Sequence, residues 1–161
     1  MKDDLRDPET SVATLANGVR VIAIRQPHVE TVGVSVFVRS GSQHESARLN
    51  GISHVVEHMA FKGTHERDCQ KINLDAERLG ADVNAHTDKD HTAFHMSGLA
   101  GHIDADRVLA DAQAAFGSMP AGSANAVEKP AYLGGIATRR QAGCSQTHVV
   151  LGFPIPGLAD E

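Results

Sequence analysis

Between Gly51 and Thr64 the chain reads GISHVVEHMAFKGT, which places His54, Glu57 and His58 in the order H-x-x-E-H. Imidazoles four residues apart stand one turn apart on a helix, so both can face one metal ion while the backbone limits the entropy lost on binding. The carboxylate beside the second imidazole lies on the same face, where it can take a proton from water acidified by such an ion. Zinc brings the pKa of bound water from about 15.7 to about 7, within reach of a carboxylate base at neutral pH. With ten histidines and eight glutamates in 161 residues, chance supplies this order about 0.03 times.

The element that must carry the trio is a helix. Asn50 reads as its N-cap and Gly63 as its C′ residue, with about three turns between them. At roughly 100° per residue, Ile52, Val55, Val56, Met59 and Ala60 gather on one side, the expected core face. His54, Glu57 and His58 fall on the opposite side.

Around this helix the pattern is that of strands. Val12–Leu15 and Val19–Ile24 flank Asn17-Gly18, a strong hairpin signal. Thr31–Arg39 alternates, with Val32, Val34, Val36 and Val38 on one face and Gly33, Ser35 and Phe37 on the other. Residues 66–79 read as a second helix stopped by Gly80. Strands Asp82–Thr87 and His91–Leu99 follow across a polar turn, and Ile103–Phe116 reads as a third helix ending at Gly117. The expected fold class is α+β: a mainly antiparallel sheet containing all five strands, with the helices packed on one face. Residues 1–117 form this domain, 118–134 read as a linker, and 135–161 as a fragment of a second domain. Thr147–Phe153 reads as a strand in need of a partner, since a lone strand cannot bury itself.

The bulk numbers remove some functions. A net charge of −5 offers no basic patch for nucleic acid. Cys69 and Cys144 form no CxxC pair and read as reduced thiols. No stretch approaches the ~20 apolar residues of a membrane span, so the expectation is a soluble, cytoplasmic chain with no membrane or nucleic-acid partner. At 41% hydrophobic but 4% aromatic, without Trp, the core must rest largely on Val, Ile, Leu and Ala.

The run His54-Val55-Val56-Glu57-His58-Met59-Ala60-Phe61-Lys62-Gly63-Thr64 resembles the inverzincin motif of the pitrilysin/insulinase-like peptidases, the bacterial processing-peptidase-like members included. The resemblance covers about residues 12–116. Asn17-Gly18, Gly41-Ser42 and Glu45 precede the motif as in that family, and Leu79-Gly80 with Asn84-Ala85-His86-Thr87 looks like its second signature. It implies a zinc metalloendopeptidase, with His54 and His58 as zinc ligands and Glu57 as the general base. It also implies that Asp82–Thr87, through Asn84 and Ala85, is an edge strand that pairs with an extended peptide substrate.

One part of the family pattern has no counterpart. The family's third ligand is a glutamate on a later helix, and the matching count from His58 lands on Gly135. The glutamates after His58 are Glu66, Glu77, Glu128 and Glu161, none in a comparable helix. The segments around Pro130–Gly135 and Gln146–Pro154 resemble a later part of the family, as if an internal deletion joined the active-site half to the start of the non-catalytic half, which then stops early. Two readings therefore stand: an active peptidase, and a non-catalytic remnant or supporting subunit that forms a homo- or hetero-oligomer with a complete relative. Catalytic zinc sites use three protein ligands, so two predict weak zinc binding and turnover near background. Glu128, His86, His91 or His95 could supply the third if the fold brought one of them to the motif.

Overall fold

The structure, a computed structural model, describes residues 8–103, 105–125, 127, 131–143 and 145–155. It divides into two compact units, residues 1–127 and 128–161.

In the first unit the order is β1 (Glu9–Thr14), β2 (Arg20–Arg25), β3 (Thr31–Val38), α1 (Ile52–Ala60), α2 (Cys69–Arg78), β4 (Asp82–Thr87), β5 (Thr92–Leu99) and α3 (Val108–Phe116). Every strand pairing is antiparallel, and the class is α+β as expected. The single sheet is not formed. β1 and β2 pair with each other, and a separate three-stranded sheet runs β3-β5-β4.

The hairpin's turn shows why it stands apart. Gly18 takes the left-handed conformation (φ 90°) that the turn needs. The N–H of Leu15 donates to Val19 O at 2.8 Å and that of Gly18 to Leu15 O at 2.9 Å. The Asn17 amide then reaches the end of α3, donating to the carbonyls of Phe116 (2.7 Å) and Met119 (3.0 Å). The hairpin is thus tied to a helix end rather than added to the sheet.

In the three-stranded sheet Ser35 stands opposite His95 and Val36 opposite Phe94, and on the other side of β5 Thr87 stands opposite Thr92. Side chains alternate across a strand. One face therefore carries Val34, Val83, Thr87, Thr92, Phe94 and Met96, and both α1 and α2 pack against β4 there. Phe61, just past α1, sets its ring 6.3 Å from that of Phe94. The other face carries Phe37, His86, Ala93 and His95. β4 is an edge strand, as expected.

Gly41 fixes how the chain leaves β3. A Cβ there would stand 2.4 Å from Asp88 O, 2.6 Å from Lys89 O and 2.7 Å from the His91 nitrogen. The missing side chain lets the next amides, Ser42 and Gln43, donate to Asp88 O (3.1 Å) and Lys89 O (2.9 Å) in the β4–β5 loop.

The helices are shorter than the sequence pattern suggests. Asp68 caps α2 by accepting the Lys71 N–H at 2.7 Å, and Gly80 (φ 58°) ends it. The third helix begins at Val108 instead of Ile103, because 3-10 turns occupy 100–102 and 105–107.

Among the described residues of the second unit there is no helix or strand. The strand expected at Thr147–Phe153 is not formed, and its side chains are exposed. An extended segment becomes a strand only when a neighbour takes up its backbone hydrogen bonds, and these residues have no such ladder. Cys69 is a free thiol; Cys144 lies outside the described residues. Among the described residues no helix is long and apolar enough to cross a membrane.

Candidate metal centre

α1 begins without the cap its sequence suggests. Asn50 is not the N-cap; Gly51 is, at φ 92°, and it has no side chain to offer. Glu45 supplies the acceptors from outside the helix, one carboxylate oxygen taking the Ser53 N–H at 2.8 Å and the other the Gly51 N–H at 2.5 Å. These bonds, that from Ser53 foremost, hold the Glu45 carboxyl below its usual pKa. A carboxylate at a helix N-terminus also complements the helix dipole.

On the helix itself the spacing does what the sequence predicts. The Nε2 atoms of His54 and His58 lie 3.0 Å apart, with ring centroids 4.6 Å apart. One ligand atom from each of His54, Glu57 and His58 fits within a 4.8 Å cluster, the only such group among the described residues. Two imidazole nitrogens beside a carboxylate oxygen are a donor set suited to zinc.

The orientation of the helix is the reverse of the expectation. Ser53 and Glu57 are its buried residues, Glu57 being 8% exposed. The expected core stripe faces outward: Val56 and Met59 are each 58% exposed, and Ile52 and Val55 are exposed as well. The reason lies in the sheet. Thr87 on β4 donates its hydroxyl to Glu57 Oε2 at 2.6 Å, which satisfies the carboxylate where it is buried. Beside it the buried Thr92 donates to Ser40 O at 2.8 Å. His54 and His58 remain exposed at the rim.

Asn84 and Ala85 lie on the edge strand. The Asn84 side chain accepts the Ala85 N–H at 2.8 Å, so that amide is already engaged. Ala85 lines an open groove of about 460 Å³ together with Glu45, Gly51, His54, Glu57 and Thr87.

His86 and His95 do not supply a third motif ligand. They belong to the sheet face that also carries Ala93, whereas Thr87 on the opposite face is the residue that meets Glu57. His91 sits in the turn, bonded to Asp90. Glu66 and Glu77 are exposed and outside the cluster. Glu128 and Glu161 lie outside the described residues. Sequence reasoning left two residues without a role in the site, Thr87 and Glu45. Both stand in stretches the family resemblance covers, but their contacts span 30 and up to 8 positions, which no local pattern shows.

A sequence model of the family described as Insulinase (Peptidase family M16) matches residues 20–112. Mitochondrial-processing peptidase subunit beta of Dictyostelium discoideum is 42% identical over 106 residues, which is 65% of this chain and 22% of that protein. The uncharacterized zinc protease YmxG of Bacillus subtilis (strain 168) is 41% identical over 99 residues, 61% of this chain and 24% of that one. Among solved structures, a protease from Helicobacter pylori superposes with a TM-score of 0.56 at 27% identity, over 59% of this chain and 23% of the other. The matched stretch thus spans less than a quarter of each of these relatives.

Proposed function

Because the chain belongs to the insulinase family of peptidases, matched over residues 20–112, we propose that its first unit carries the metal-holding part of a zinc metalloendopeptidase site. The observation that carries this reading is the convergence of His54, Glu57 and His58 donor atoms within 4.8 Å. His54 and His58 would hold zinc through Nε2. When bound, zinc supplies Lewis acidity toward water and toward a peptide carbonyl.

The chain's own groups do the rest. Glu57 is the base: Thr87 fixes its Oε2, which leaves Oε1 to take a proton from water and later to return it to the leaving amine. Thr87 is a positioning residue. An extended peptide lies along the edge of β4 and pairs with the backbone at Asn84 and Ala85, as in strand addition. The Asn84 side chain has to release the Ala85 N–H for that pairing to form.

A second reading, binding of peptide or partner without turnover, is favoured by one observation. All three clustered donors come from α1, and Gly135 stands where the family resemblance calls for a glutamate. If Glu57 were drawn into the metal's ligand set it could not also serve as base.

Zinc calorimetry and peptide hydrolysis test the proposal together. Zinc binding is expected to be weak, lost in His54→Ala or His58→Ala, and largely kept in Glu57→Gln. Hydrolysis of an unstructured peptide should be near background alone and should rise when an intact relative is added, with Glu57→Gln removing that rise. No rise with the wild-type chain would leave the second reading. No zinc binding at all would sink the first reading and leave only the second.

A further inference from the structure

The three-stranded sheet has two edges, β4 on one side and β3 on the other, and among the described residues no strand lies beyond β3. β3 reads Thr-Val-Gly-Val-Ser-Val-Phe-Val, with no charge and no proline over Thr31–Val38. Edge strands are ordinarily blunted by such residues, by bulges or by a covering element. Here the pairing to β5 runs without a bulge, and the helices on the valine face pack against β4, two strands away.

The direction of the free backbone groups follows from the ladder. Antiparallel bonds alternate along a strand, and Glu30 O accepts the Ala100 N–H at 2.8 Å. The even-numbered residues of β3 therefore bond to β5, and Thr31, Gly33, Ser35 and Phe37 turn their N–H and C=O groups outward. The Arg39 carbonyl has the same parity, and the Asn125 side chain donates to it at 2.7 Å, just past the end of the strand.

We propose that β3 is the contact between two copies of this chain, each pairing antiparallel with its counterpart about a two-fold axis at Ser35. Such a contact is self-complementary. Ser35 then faces itself, Val34 faces Val36 and Val32 faces Val38, so the valine face continues across the junction. Gly33 faces Phe37 of the second copy. A Cβ at Gly33 would meet nothing within 4 Å, while the Phe37 ring touches His91 of its own chain at 5.7 Å and is otherwise open, 67% exposed. An aromatic ring laid over an edge glycine is a known way to pin register. The charges flanking the strand agree. Glu30 precedes it and Arg39 follows it, so antiparallel self-pairing sets each acid beside the end that carries the base, whereas parallel pairing would set like beside like. Two three-stranded sheets become one, with β4 open at both ends. The contact does not rest on the peptidase reading.

Sedimentation velocity on the full chain should show a concentration-dependent monomer–dimer equilibrium that stops at the dimer. In hydrogen–deuterium exchange of the wild type, protection of the Gly33, Ser35 and Phe37 amides should rise with protein concentration, while that of Val32, Val34 and Val36 stays constant. Ser35→Lys puts two ammonium groups opposite each other at the axis and should weaken dimerisation at least tenfold without lowering the melting temperature of the monomer. A wild type that stays monomeric at its highest soluble concentration, or exchange at those three amides that ignores concentration, would overturn the proposal. So would open-ended aggregation in place of a dimer, or a dimer that survives Ser35→Lys but is lost in Leu151→Lys, which would assign the contact to the Thr147–Phe153 segment.

Discussion

At the residue scale, the hydrogen bond from Thr87 to Glu57 decides which way α1 faces. A buried carboxylate without a partner costs several kcal/mol or shifts its protonation, whereas a hydrogen bond to a charged group contributes about 1.5–3 kcal/mol. Thr87→Val should therefore destabilise the chain by about 1.5–3 kcal/mol in urea denaturation, and Thr87→Ser should recover most of the loss. The spacing of His54, Glu57 and His58 was legible in the sequence because it depends only on helical geometry. The direction of the trio was not. The rule that an apolar stripe faces the core presumes that polar groups have no partner inside, and Thr87 lies 30 positions away.

At the scale of elements, α1 depends on a cap it does not contain. Glu45 holds the Gly51 and Ser53 amides, and its pKa is lower in the folded chain than in the unfolded one. Its contribution is therefore complete above the ordinary glutamate range and is lost as pH falls through the depressed folded value. In pH-dependent denaturation the wild type should lose stability on acidification, and Glu45→Gln should be less stable near neutrality with a shallower acid slope. Strand positions were readable because alternation is local: β4 matches its expected range and β3 and β5 differ by one residue at one end. The sheet to which each strand belongs was not readable. Asn17 ties the β1–β2 hairpin to α3 through carbonyls about a hundred residues away, and no periodicity encodes such a bond.

At the scale of the whole molecule, little apolar surface is enclosed. Among the described residues Leu15 and Ala93 are the buried apolar side chains, while Val55, Val56, Met59, Phe37 and Ile24 are among those left open. Exposed apolar surface on this scale is a mark of interaction faces or of aggregation-prone ones. The isolated chain should therefore enhance the fluorescence of an apolar-surface dye such as anilinonaphthalene sulfonate well above a compact control protein, and an intact relative should reduce that signal. The composition pointed to a core of Val, Ile, Leu and Ala, but no composition tells which of those side chains find neighbours. Thr147–Phe153 makes the same point: its β-propensity is plain, and the strand is absent because pairing belongs to the partner as much as to the segment. The close approach of Gly41 to the β4–β5 loop has a kinetic consequence. The Ser42 and Gln43 amides hang on that loop, and three residues on Glu45 holds the amides of Gly51 and Ser53. In hydrogen–deuterium exchange these four amides should open as one unit with a common protection factor, and Gly41→Ala should release all four while leaving the β1–β2 ladder unchanged.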